Sequence, residues 1–288
     1  FAEGEAASLD KFDLIMEKHF DVKKLPRIGP PEFGGQCTSG EHLKCTVSWT
    51  EKGFTWEGNV KHVRDLMEML NFTEDSKGVD TPSTKDTGKG VRTSLDELDD
   101  KGARLFRSAA GTLQYIAQDQ IAIKEATAKV MQGMSKPLEI HQLRLARAAR
   151  YLLKYPVEVW HYVYQTNPGA VDEIGDSDWA GDPITRKSTS CIIERFGHHI
   201  LDGNVWMQDV IALSSGEAEF YPIVKGGAQA IQSQGTLQSF GMGEVTIRLW
   251  SDSSAARGIV QRQGPGKLRH LDIKDLWIQD FIRKKNKW

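Results

Sequence analysis

The sequence predicts a mixed α/β chain in two parts, and three observations point there. Up to residue 155, apolar residues recur at helical spacing in several segments, HQLRLARAARYLLKY among them. Beyond YPVEVW the texture turns to alternation, with short β-branched runs such as CIIERFG and VTIRLW. Between those runs lie segments that open on serines and continue at helical spacing, so strands and helices interleave.

In chain order, residues 8–20, SLDKFDLIMEKHF, form a predicted helix behind a Ser/Asp cap signal. Residues 44–57 predict two short strands around a Lys-Gly turn, and 58–72 an amphipathic helix. The stretch 76–102 is polar, glycine-containing and nearly free of aromatics, which predicts a linker. Helices follow near 104–117, 121–134 and 138–154, the last with one basic and one apolar face. Residues 160–175 alternate, and the domain boundary is placed near 160. CIIERFG (191–197) and NVWMQ (204–208) predict strands, and SSGEAEFYPIVKGGAQAIQSQ a helix with a soft middle at Gly226-Gly227. VTIRLWSD (245–252) predicts a strand closed by a turn-forming Ser-Asp. SSAARGIVQRQ starts a serine-capped helix, and KLRHLDIKDLWIQDFIRKK a closing one.

A length of 288 residues accommodates two domains, and 39% hydrophobic with 26% charged residues predicts a real core. The net charge of −2 leaves any nucleic-acid surface to a local patch. The one dense basic run, RKKNK at 283–287, reads as a solvated helix end. Cys37, Cys45 and Cys191 are too few and scattered for a disulfide framework, which implies a reducing, intracellular compartment. Cys37, His42 and Cys45 lie close together, but no second ligand pair follows at zinc spacing. No signal pattern opens the chain, and no apolar run approaches the roughly 18–20 residues of a membrane helix. A start on Phe1 and an end on Trp288 read as a fragment of a longer polypeptide.

Acids at element ends carry the chemical signal. Asp176 and Asp178 lie in GDSDWAG where a strand gives way to a loop, Glu217 and Glu219 begin a helix, and Asp252 closes VTIRLW. Acids so placed can converge on one sheet edge, where they repel each other unless a cation joins them. Oxygen-only ligands suit Mg2+ or Mn2+, and two such ions can clamp both the attacking and the leaving oxygen of a phosphodiester. Taken singly, each acid also has a plain structural reading: Asp252 in SDSS fits a helix cap. Two helix steps turn a side chain by about 200°, so Glu217 and Glu219 cannot share a face, and periodicity does not choose between them.

GDSDWAGDPITRKSTSCII, VIALSSGEAEFYPIV and LWSDSSAARGIV resemble, in that order, the ribonuclease H domain of copia-type retrotransposon Pol polyproteins. Upstream, DKFDLIMEKHFDVKKL, FRSAAGTLQYIAQDQIAI and KPLEIHQLRLARAARYLLKY resemble the same family's segments after the polymerase active site. The resemblance is strongest over 174–275 and weak over 25–75. It implies a ribonuclease H-like, five-stranded mixed sheet with flanking helices, its last strand truncated, across 161–288. Ahead of it, 1–160 would be the C-terminal part of a reverse transcriptase: the end of its palm and thumb- or connection-like helices.

By the same resemblance the catalytic, metal-binding acids are Asp176, Glu219 and Asp252, holding two Mg2+ or Mn2+ ions, with Asp178 and Asp272 as runners-up. Glu217 would be the solvated neighbour of Glu219. Ser214, Ser215 and Ser254 would face an RNA–DNA hybrid through phosphate and 2′-OH contacts. The implied partners are that hybrid and the remainder of the polyprotein, without a membrane, in cytoplasm, virus-like particle or nucleus. Three departures stand out. The polymerase's Tyr-x-Asp-Asp turn is absent, belongs upstream of Phe1, and is not replaced by the Asp99-Asp100 pair. The family's fourth acid, in an Ala-Asp pair after a last strand, has no counterpart before Trp288. Gln118-Asp119-Gln120 stands where the family has an Arg-Pro-Asp turn. The sequence therefore supports a ribonuclease H, a non-catalytic nucleic-acid-binding or structural remnant, or another nuclease or recombinase on the same fold.

Overall fold

A computed structural model describes residues 4–73, 75–84, 95–182, 184–266 and 270–285. Residues 85–94 of the expected linker, 267–269 of the expected closing helix and the end of the 283–287 basic run lie outside the described residues. The first part contains helix α1 (Ala6–His19), strands β1 (Ser39–His42), β2 (Cys45–Thr50) and β3 (Gly53–Glu57), and helix α2 (Val60–Met69). It continues through α3 (Asp100–Ile116), α4 (Lys124–Met131) and α5 (Glu139–Lys154). The Asp99 side chain accepts the Gly102 N–H and caps α3, which accounts for the Asp99-Asp100 pair as a helix start.

The helices α2 to α5 bury one apolar face each around Leu66, Phe106, Leu113, Leu145 and Leu152. Helix α1 has no buried residue, and Phe12, Leu14 and Ile15 are exposed on it.

Alternation over 160–175 resolves into two strands of different sheets. Strand β4 (Val159–Val163) pairs antiparallel with β3 and completes a four-stranded sheet in the order β1-β2-β3-β4, so the boundary placed near 160 falls inside this strand. One face of that sheet carries Cys45, Val47, Trp49, Phe54, Trp56, Trp160 and Tyr162, as the register of facing residues requires. Asp119 binds this face: its carboxylate accepts from Cys45 Sγ and Trp56 Nε1, and its backbone carbonyl from Trp160 Nε1.

The second sheet has the order β7-β6-β5-β8, from β5 (Ala170–Asp178), β6 (Thr189–Phe196), β7 (His199–Met207) and β8 (Thr246–Trp250). Strand β6 runs antiparallel to both β5 and β7, and β8 is parallel to β5. Helix α6 (Ser215–Ser239) makes the crossover from β7 to β8, and α7 (Ser254–Gln261) and α8 (Trp277–Lys285) follow. This is the ribonuclease H-like mixed sheet, four strands of it among the described residues.

Two expectations are corrected. Helix α6 runs unbroken through Gly226-Gly227 because both glycines are close-packing positions. A Cβ on Gly226 would lie 2.6 Å from Glu173 Cγ, and one on Gly227 2.7 Å from Ile278 Cδ1. The closing helix is not continuous: a short 3-10 turn, Ile273–Leu276, precedes α8. Asp272 caps that turn by accepting the Lys274 N–H.

Candidate metal-binding site

Strands β5 and β8 are parallel, so their carboxyl ends emerge at the same sheet edge. The last paired residues are Ile174 and Trp250. Asp176 and Asp252 each lie two residues further on, Asp176 still within β5 and Asp252 just past the end of β8. The neighbouring pair, Asp172 and Arg248, shows the alignment directly: Arg248 Nε and Nη2 each lie 2.7 Å from the Asp172 carboxylate. Helix α6 begins over this edge and supplies Glu219 from its second turn. Asp176, Glu219 and Asp252 each offer a carboxylate oxygen, and the three atoms lie within 4.8 Å of one another.

Local sequence explains why Asp252 is available. Ser253 caps α7, its Oγ accepting the Ala256 N–H at 3.1 Å, and Ser251 Oγ accepts the Ser253 N–H. The capping role that Asp in SDSS could have taken falls to its neighbour. Glu219 is held from the other side: Ser177 donates its backbone N–H (3.2 Å) and its hydroxyl (3.1 Å) to Oε1. Oε2 of Glu219 is buried and has no hydrogen-bond partner. Burial pushes the Glu219 carboxyl above the usual range, the Ser177 bonds oppose this, and the charges of Asp176 and Asp252 add to it. An orphaned buried carboxylate oxygen beside two exposed carboxylates is an all-oxygen donor set of the kind hard divalent cations take.

The other acids do different work. Asp178, a runner-up, accepts the Thr189 N–H, and a Cβ on Gly181 would lie 2.0 Å from its Oδ2, so it pins the turn that follows β5. Asp272, the other runner-up, belongs to its cap and pairs with Lys274 at 3.1 Å. Neither joins the three-acid group. Cys37, His42 and Cys45 are not brought into such a group either. Burial pushes the Cys45 thiol up to about 11, and the neighbouring Asp119 carboxylate adds to the rise.

Glu217 requires a correction. It is the more buried of the two glutamates, 1% exposed, not a solvated neighbour. Its carboxylate accepts from Leu213 N–H, Tyr221 OH and His270 Nε2. Ser214 Oγ accepts the Glu217 N–H in turn. The spacing Ser214-x-x-Glu217 carries the signature of a capping box, which was the available signal. Ser214 is thus engaged as a cap, while Ser215 and Ser254 are exposed at the starts of α6 and α7. Sequence reasoning also missed three buried acids of this sheet: Asp172, Glu173 and Glu194 are 4%, 2% and 2% exposed.

No family model matches the chain. It is similar to copia-type retrotransposon Pol polyproteins. The Retrovirus-related Pol polyprotein from transposon TNT 1-94 of Nicotiana tabacum is 24% identical over 236 residues, covering 79% of this chain and 17% of that protein. The corresponding polyprotein from transposon RE1 of Arabidopsis thaliana is 31% identical over 160 residues, 56% of this chain and 11% of its own length. The chain therefore spans less than a fifth of either relative. Among solved structures, a foamy viral protease-reverse transcriptase dRH in complex with double-stranded DNA shares the fold, with a TM-score of 0.52 at 10% identity. That match covers 99% of this chain and 42% of the other. Among the described residues no helix is long and apolar enough to cross a membrane.

Proposed function

We propose that this Pol-derived chain is a metal-dependent nuclease that hydrolyses the RNA strand of RNA–DNA hybrids. In this reading 161–288 is the ribonuclease H-like unit and 1–160 derives from the C-terminal part of a reverse transcriptase, without the polymerase's catalytic turn. The observation that carries the reading is the convergence of Asp176, Glu219 and Asp252 with one Glu219 oxygen left unpartnered.

Those three carboxylates would hold two Mg2+ or Mn2+ ions. When bound, such ions supply activation of the attacking water and charge stabilisation for the leaving 3′ oxygen. The chain's own part is to keep the acids converged. The parallel register of β5 and β8 holds the two aspartates, and Ser177 fixes the direction of Glu219. The exposed hydroxyls of Ser215 and Ser254, and the remaining O–H of Ser214, would donate to phosphate oxygens and accept from ribose 2′-OH groups. Selection of the RNA strand would come from those 2′-OH contacts. The expected setting is intracellular, within a larger polyprotein.

The test is cleavage of a labelled RNA–DNA hybrid with Mg2+ or Mn2+, with Asp252→Asn alongside. Metal-dependent cutting of the RNA strand, lost in Asp252→Asn, supports the reading. Equal cleavage by both proteins rejects it.

One observation favours a second reading. Among the described residues the convergent group is three acids, with no fourth. A remnant that binds hybrids without cutting them would show salt-dependent binding and no metal-dependent product.

A further inference from the structure

Glu217 plays no part in the proposed chemistry, yet its buried carboxylate takes three hydrogen bonds beside it. Its side chain is 2% exposed, and three donors from three places in the chain meet on it. Leu213 N–H, from the loop ahead of α6, lies 2.9 Å from Oε2. Tyr221 OH, one turn along α6, lies 3.2 Å from Oε1. His270 Nε2, from the segment between α7 and α8, lies 2.8 Å from Oε2. The imidazole must carry its proton on Nε2 to donate here. His270 is 53 residues away in sequence, and this bond ties its segment to the first turn of α6.

Helix α6 has 25 residues and buries Phe220, Ile223 and Ala230 along its length. Its formation does not depend on a polar anchor at one end. The anchor's position is the informative feature, because Glu217 is two residues from Glu219, in the first turn, directly ahead of the one that presents Glu219 to Asp176 and Asp252. The start of the helix is also tightly seated there: a Cβ on Gly216 would lie 2.7 Å from Ala255 Cβ. A buried carboxylate that loses a donor must reorient or draw in water, and either movement is delivered to the first turn. Outer groups that orient metal ligands act in this way.

We propose that His270 is a positioning residue: through Glu217 it holds the first turn of α6 so that Glu219 stays aimed at the candidate ion site. This rests on the reading of Asp176, Glu219 and Asp252 as that site.

The test is Mn2+ binding to the full chain by titration calorimetry, comparing wild type with His270→Gln, His270→Asn and Asp252→Asn. The Gln amide nitrogen can stand where Nε2 stands, whereas Asn is polar but too short to reach Glu217. His270→Gln is expected to bind Mn2+ close to wild type, and His270→Asn about tenfold more weakly. Both variants keep a polar group at a part-exposed position, so folding is expected in each. Wild-type affinity in His270→Asn, or equal weakening in both variants, overturns the positioning role. Absence of Mn2+ binding in wild type itself overturns the reading of the acid group and this proposal with it.

Discussion

Ser177 donates twice to the same oxygen of Glu219, from its backbone N–H at 3.2 Å and its hydroxyl at 3.1 Å. The residue between two strand positions therefore aims the helix acid at the sheet edge, and leaves Oε2 as the atom without a partner. Ser177→Ala removes the hydroxyl and keeps the N–H. Mn2+ affinity is expected to fall by about tenfold with little change in thermal stability. Titration calorimetry beside a thermal melt reads both, and unchanged affinity would show that the backbone bond alone orients Glu219.

Glu173 gives the sheet a pH dependence. It is 2% exposed under α6, and neither carboxylate oxygen has a partner. Burial, then the neighbouring Glu194 and Asp202, push it from 4.5 up to about 8. Between those values the native state keeps a proton that the unfolded chain has released. The stability this proton contributes is fully present below about 4.5 and is lost as pH rises through about 8. The loss is at most about 1.4 kcal/mol per pH unit. Urea unfolding midpoints measured at about pH 5.5 and about pH 8.5 should fall with pH in wild type, and much less in Glu173→Gln. Parallel profiles would remove Glu173 as the cause.

Asp172 is buried on the other face of β5 and takes three donors: Arg248 Nε, Arg248 Nη2 and Trp250 Nε1, each at 2.7 Å. Arg248→Leu leaves that carboxylate with the indole alone. Arg248 is half-exposed, which screens the pair, so a destabilisation of about 2 kcal/mol is expected in chemical denaturation. Arg248→Lys should recover little of it, since an ammonium cannot reproduce the two parallel bonds. Full recovery by lysine would mean that charge, not the planar fork, is what the site needs.

Asp119 joins the aromatic sheet to the end of α3. Its Oδ1 lies 3.1 Å from Trp56 Nε1 and its Oδ2 3.5 Å from Cys45 Sγ. Asp119→Ala should cost about 1–3 kcal/mol, because the indole N–H is left without its acceptor. The near-UV circular dichroism of the tryptophans should change with it. A variant as stable as wild type would show that the sheet is held by its apolar contacts alone.

Several of these elements were legible beforehand for a plain reason: their signals are local. VTIRLW alternates and ends on a turn, and β8 is there. HQLRLARAARYLLKY repeats at helical spacing, and α5 is there. Where a signal is local but ambiguous, the sequence does not decide the structure. Alternation over 160–175 does not say that β4 and β5 join different sheets, because a strand's partner is chosen at long range. Glycine at 226 and 227 reads as a weak point in a helix until Glu173 and Ile278 occupy the space where side chains would stand.

The candidate site divides in the same way. By itself the sequence determined which acids stand at element ends, in what order, and that Glu217 and Glu219 must face apart, since helix geometry requires no other part of the molecule. Which acids meet was decided by tertiary structure. The parallel register carries Asp176 and Asp252 to one edge, Ser253 takes over the cap of α7, and Asp178 and Asp272 are drawn into local bonds. The fate of Glu217 was decided there too, for its burial depends on His270, and no periodicity reports a hydrogen bond to a residue 53 positions away.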